Sequence, residues 1–249
     1  MRLSFNLLLL NTLLILAHIS SAQLSLSVKI GNCSYSTSAE VVLPFGDPIL
    51  IGSINENGQV HIHLTEKHGE EIQLMLEEEG QSDSQIKRSI PTVAEQFICG
   101  RDALTVVNGT TKIYKANFDG ALYVVYLSDK QLIGKIRLSS SEQFSDTYYN
   151  YNMLRRNLKP GYIIDFYYVE SDASVIGTCE QVSYTIDMER KFIQTYDYHI
   201  KLKKGWNLVK TEIKDVYTDL EGNKQPLHVV QTTISEVPET ANFHFTKTK

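Results

Sequence analysis

From Tyr196 to Lys203 the chain alternates without a break: Tyr196, Tyr198, Ile200 and Leu202 are apolar or aromatic, while Asp197, His199, Lys201 and Lys203 are polar or charged. Side chains of an extended strand project to opposite faces with a period of two, so this stretch forms a strand with one buried and one solvated face. A helix is excluded because no apolar set recurs at i, i+3 and i+4. Leu24, Leu26, Val28 and Ile30 repeat the pattern between Ser25, Ser27 and Lys29. Val60, Ile62 and Leu64 repeat it opposite Gln59, His61, His63 and Thr65. A chain dominated by this period has to bury one face of a sheet against another layer.

The turns divide the strands. Asn57-Gly58 tolerates the positive φ of a hairpin, which predicts Pro48 to Ser53 as the partner of the strand that follows. Glu221-Gly222-Asn223 is a second hairpin signal, and Asp119-Gly120 and Lys159-Pro160-Gly161 separate further strands at Tyr162 to Val169, Val182 to Ile186 and Leu227 to Ile234. The run Ala121 to Leu127 carries no polar interruption, the pattern of a strand covered on both faces. Glu66 to Arg88 is charged, and Glu70 to Leu76 fits helix or strand. Thr92-Val93-Ala94-Glu95 has capping-box spacing, with Pro91 before it and Gly100 after, and predicts one short helix over Val93 to Ile98. Gly205 allows a tight turn into Trp206-Asn207-Leu208-Val209; hairpin pairing there predicts that Trp206, the only Trp, is buried over the Tyr196, Tyr198, Ile200 and Leu202 face. The expected fold is all-β: an antiparallel β-sandwich, or two small sandwiches in series, with one short helix. A boundary at Gln81 to Arg88 would divide it into an N-terminal β subdomain at 23–80 and a main sandwich at 81–249; otherwise 23–249 is one domain.

Arg2, the apolar stretch from Leu7 to Ala17 and the small residues Ser20 and Ala22 have the order of a secretory signal peptide spanning 1–22. The apolar run is shorter than the roughly 20 residues a membrane anchor needs. Export to the periplasm or medium permits disulfides, yet only Cys33, Cys99 and Cys179 are present, so at most one bridge forms within the chain and its members are open. The balance of 24 basic against 29 acidic residues, net −5, argues against a nucleic-acid partner, because phosphate binding needs clustered Lys and Arg. Arg155-Arg156 and Lys201 to Lys204 are too short for that.

Ala173-Ser174-Val175-Ile176-Gly177-Thr178, the alternating strand, and Leu202-Lys203-Lys204-Gly205-Trp206-Asn207-Leu208-Val209 together resemble segments of a loose group of secreted proteins and lipoproteins of Bacteroidota with unassigned function. The opening Ile51-Gly52-Ser53-Ile54-Asn55-Glu56-Asn57-Gly58 hairpin is similar to the start of that group. The shared segments cover about a third of the chain. The resemblance implies a cell-envelope or extracellular setting and a β-rich fold, and it transfers no catalytic residue. Where those relatives are lipoproteins this chain departs, because Gln23 stands where the lipid-bearing Cys would be. In that bacterial setting the Asn32-Cys33-Ser34 and Asn108-Gly109-Thr110 sequons carry no weight.

Chemistry-bearing patterns are sparse. His61 and His63 lie two apart on a strand and so share a face, which suits chelation if a third ligand joins them; the alternative is two imidazoles on a solvated face. No Gly-x-Ser-x-Gly turn surrounds a serine, and Ser139-Ser140-Ser141 reads as a polar loop. Glu77-Glu78-Glu79 lacks the alternating ligands of a calcium loop. Tyr148-Tyr149-Asn150-Tyr151-Asn152 reads as a loop in which Tyr148, Tyr149 and Tyr151 are ligand-binding candidates, since Tyr with amide neighbours stacks on sugar rings and bonds their hydroxyls. The leading expectation is a non-catalytic exported structural or interaction module without cofactor or metal, whose partner is an unknown protein or glycan. A carbohydrate- or peptide-binding accessory protein is the alternative, and a metal-dependent hydrolase at His61 and His63 the third.

Overall fold

The computed structural model describes residues 23–31, 38–43, 48–81, 90–97, 99, 103–116, 120–149 and 158–248, without the side chains of 79–81 and 149. The expected leader at 1–22, Cys33, Arg155-Arg156, Tyr151 and most of the expected boundary at Gln81 to Arg88 lie outside the described residues.

In chain order the elements are strands β1 (Leu24–Lys29), β2 (Ala39–Leu43), β3 (Ile49–Ile54) and β4 (Gln59–Leu64), then helices α1 (Glu66–Gln81) and α2 (Val93–Gln96). Strands β5 (Leu104–Val107), β6 (Ile113–Lys115), β7 (Leu122–Tyr126) and β8 (Leu132–Ser139) precede helix α3 (Glu142–Tyr149). The last third is β9 (Gly161–Val169), β10 (Ala173–Tyr184), β11 (Lys191–Leu202), β12 (Gly205–Thr218), β13 (Lys224–Ile234) and β14 (Asn242–Lys247). Among the described residues strands predominate and helices are few, so the chain is all-β, as the alternation predicts.

All the strands belong to one hydrogen-bonded, mostly antiparallel sheet that folds over itself in two halves. In the first half β1, β4, β3, β2, β7, β8 and β14 pair in that order. A parallel bridge between Ile30 and Phe243, with the Gly31 N–H donating to the Phe243 carbonyl at 2.9 Å, joins β14 back to β1. The second half runs β9, β12, β13, β11, β10, β5, with β6 on the other edge of β9. Because β2 pairs with β7, the segments before and after 80 share a sheet and a core.

The two halves meet at β9 and β12, which are buried on both faces. Ile164, Phe166, Tyr168, Trp206 and Leu208 face the first core, while Tyr167, Val169 and Val209 face the second. The expectation of two-sided cover for Ala121 to Leu127 is corrected here: Leu122, Val124 and Val125 are buried, but Tyr126 and Leu127 are exposed at the tip of the β7–β8 hairpin. An uninterrupted apolar run is necessary for a two-sided strand, but position in the sheet decides which run becomes one.

Both predicted hairpin turns form. Gly58 (φ 73°) and Gly222 (φ 82°) take the left-handed conformation that glycine adopts without Cβ strain, and Asn55 and Asp219 each accept backbone N–H bonds across their turns. The capping box forms too: the Thr92 hydroxyl accepts from Glu95 N and the Glu95 carboxylate accepts from Thr92 N. The hairpin expected at Gly205 does not form. Strand β13 inserts between β11 and β12, pairing parallel with β11 and antiparallel with β12. Asn207 closes the short connection instead; its Oδ1 accepts from Lys203 N, and its Nδ2 donates to the Lys203 and Gly205 carbonyls. Trp206 is buried as predicted, at 8% exposure, but in the first core against Tyr168 rather than over the Tyr198 and Ile200 face.

Among the described residues three helices stand where the sequence predicts one. Helix α1 resolves the ambiguous Glu66 to Arg88 stretch: Ile72 and Leu76, four apart, are buried in the first core while the acidic residues cover the outside. Helix α3 begins where Ser141 Oγ accepts the Phe144 N–H, and Phe144 anchors it against Leu158, Ile163 and Ile213.

Candidate functional site

The inner face of the second half is filled at one end and cleft at the other. At the filled end Phe97, which follows α2, packs against Tyr167 and Tyr198, and Cys99 is bridged to Cys179. Three cysteines left the pair open; the bridge joins residues 80 apart with Cα atoms 5.9 Å from one another, a separation that suits a disulfide. Burial raises the Tyr198 hydroxyl to about 12, so that ring stays neutral.

Further along the same face the apolar rows give way to a cleft of about 250 Å³ beside the end of α3. Strand β11 supplies Phe192, Gln194 and Tyr196, the continuation of the row that holds Tyr198, Ile200 and Leu202. Strand β12 supplies Thr211 and Ile213, which register with Gln231 and Val229 of β13. The β12–β13 register shifts beyond Ile213 bring Gln225 and Pro226 into the lining, since a bulge redirects the side chains that follow it. Tyr148 and Thr147 of α3 form the opposite wall with Leu158.

The three glutamines fix the polar character. Gln194 donates to the Pro226 carbonyl at 2.8 Å and accepts from Gln181 at 3.2 Å. Gln231 donates to Thr211 Oγ1 at 3.2 Å. Gln225, 7% exposed, donates to the Tyr184 carbonyl at 2.9 Å, and that carbonyl fixes which end of the amide is nitrogen. Its Oε1 is buried without a protein donor. Among the described lining residues there is no Asp, Glu, His, Lys or Arg.

Of the tyrosines singled out from sequence, Tyr148 lines this cleft. It stands on the last turn of α3 rather than in a loop, because Phe144 and the Ser141 cap carry the helix that far. Tyr149 ends the helix with its side chain outside the described residues, as Tyr151 is entirely. The β12 and β13 contributions were not foreseen. One signal was present: Gln194 interrupts an otherwise apolar row, and an amide in such a row needs a polar neighbourhood.

His61 and His63 share the exposed face of β4, with His63 Nδ1 2.7 Å from Ser25 Oγ. Among the described residues no group of three His, Cys, Asp or Glu is placed to hold a metal ion. On the outer face of the second half Asp197 accepts from Thr178 Oγ1 at 2.6 Å and from His228 Nε2 at 2.7 Å. These bonds, Thr178 first, hold its carboxyl below the usual range. The carboxylate sits between hydroxyl and imidazole; activating a nucleophile requires the imidazole between them.

Comparison with protein-family models, curated proteins and solved structures gives no match. Among the described residues no helix is long and apolar enough to cross a membrane.

Proposed function

We propose that this protein is an exported, non-catalytic binding module and that the cleft beside α3 receives a small uncharged ligand. The recess itself, walled by Tyr148, Phe192 and Tyr196 and set with three glutamine amides, carries the reading. A few convergent polar groups among aromatic walls are the usual form of a small-molecule site. The described lining residues offer hydrogen bonds and apolar contact, and none of them is an Asp, Glu, His, Lys or Arg of the kind general acid–base catalysis uses. The Cys99–Cys179 pairing supports export, since such bridges persist in oxidising compartments, and agrees with the leader pattern in the sequence.

Phenol, a neutral ring of suitable size, tests the cleft. Ligand-observed NMR should show millimolar phenol binding that disappears in Gln231→Trp, whose indole would occupy the cleft, at an unchanged melting temperature. Absence of phenol binding, or binding indifferent to that substitution, would reject the cleft as a binding site and leave a purely structural module.

A further inference from the structure

We infer that the ligand of this cleft is one neutral pyranose ring, an inference that rests on the binding role proposed above. The first observation concerns the aromatic walls. Each of the three rings in the lining is backed by a second ring outside it: Tyr148 by Phe144, at 5.7 Å between centroids and 21° between planes; Phe192 by Tyr217, at 4.4 Å and 2°; Tyr196 by Tyr198, at 6.2 Å and 10°. Stacking fixes these rings before any ligand arrives, so little ordering entropy remains to be lost on binding. Rigid aromatic walls of this kind suit the flat C–H faces of a sugar ring.

The polar groups specify the rest. Gln194, Gln225 and Gln231 set three amides into the lining. Thr211 Oγ1 already accepts from Gln231, so its own proton is available to an acceptor. A hydroxyl donates and accepts at once, and a pyranose brings several hydroxyls around one ring. The described lining offers amides, a hydroxyl and rings but no Asp, Glu, His, Lys or Arg, a set that matches hydroxyls rather than charged groups. A volume of about 250 Å³, just under the roughly 300–1,000 Å³ common for ligand sites, matches a single ring.

The experiment is competition against phenol, read by ligand-observed NMR, with the methyl pyranosides of glucose, galactose, mannose and N-acetylglucosamine, the corresponding free sugars, and glucuronate and glucosamine as charged counterparts. At least one neutral sugar should displace phenol, and the charged ones should not. Thr211→Val, near-isosteric and checked by its melting temperature, should weaken the sugar by up to about tenfold and leave phenol unchanged; if it fails to fold, Thr211→Ala serves the same purpose. A free sugar that binds while its methyl glycoside does not would identify a free monosaccharide as the source; binding of both would identify a glycan terminus, and either supports the inference. Phenol bound with no neutral sugar competing, or glucuronate competing equally well, overturns the inference while the binding role stands. Failure of phenol itself rejects that role instead.

Discussion

Trp206 shows how much one residue connects. Its ring lies 5.4 Å from that of Tyr168 on the neighbouring strand β9, and its Nε1 donates to the Thr65 carbonyl, just ahead of α1, at 2.7 Å. Trp206→Ala should cost about 3–5 kcal/mol, as large aromatic truncations in cores do, whereas Trp206→Phe should lose less because most of the packing remains; urea unfolding of both variants measures the difference. Two histidines set an acid limit. His68 accepts the Thr65 N–H at Nδ1, and His244 is buried with Nε2 on the Ser139 carbonyl and Nδ1 unpartnered. Burial lowers both below 6.5, against the opposing pull of Glu71 on His68 and of Glu142 and Asp146 on His244. The folded state therefore prefers both rings neutral. Their stabilising contribution is complete above the unfolded value of about 6.5 and is lost as pH falls through the folded values. The urea midpoint should accordingly drop as the pH falls below about 6.5, and His244→Asn should flatten that slope; a slope unchanged by the substitution would remove His244 as its source.

At the scale of elements, local chemistry and distant packing divide the work. The Asn57-Gly58 and Gly222 turns and the Thr92 cap form as their own residues dictate, because each is decided within about five positions. Helix α1 is different: its Gly69 has room for no side chain, since a Cβ there would lie 2.4 Å from the Tyr168 ring, so α1 sits as close to β9 as a backbone can. Helix α2 is a single turn, and the bridge that follows it at Cys99 ties this segment to β10. Reducing that bridge removes a constraint on an 80-residue separation and should cost about 2–4 kcal/mol, visible as a lower denaturant midpoint with reductant. Cys99→Ala with Cys179→Ala should melt at the lower value with or without it. Thiol titration of the denatured, unreduced chain should find Cys33 alone.

For the molecule as a whole, the last strand completes the first half. Phe243, fully buried, sits in the first core, and β14 lies along β8 while its backbone reaches Ile30 and Gly31. Ending the chain after Thr240 would expose the edge of β8 and remove Ala241, Phe243 and Phe245 from that core. Such a chain should lose its cooperative thermal transition, whereas removing only Thr248 and Lys249 should leave the transition unchanged; circular dichroism melts distinguish them. The same logic links the cleft to the core: β9 and β12 carry first-core residues on one face and, on β12, Thr211 and Ile213 of the cleft on the other. Stability of the first half and the shape of the cleft therefore depend on one shared wall.

The sequence alone determined the strand period, two hairpin turns, the short capped helix and the burial of Trp206, because each follows from backbone preference or from the side chains of a few neighbouring residues. It also marked Tyr148, though as a loop residue. Only the tertiary structure decided that β13 separates β11 from β12, that Cys99 rather than Cys33 meets Cys179, that Trp206 turns toward Tyr168, and that Tyr148 lines one cleft with Gln225 and Thr211. The physical reason is degeneracy. Every alternating strand offers the same apolar face and the same backbone donors and acceptors, so many pairings satisfy the local pattern equally well. The choice among them rests on the packing of side chains from distant segments, and a cleft built where several such segments meet is set by that choice.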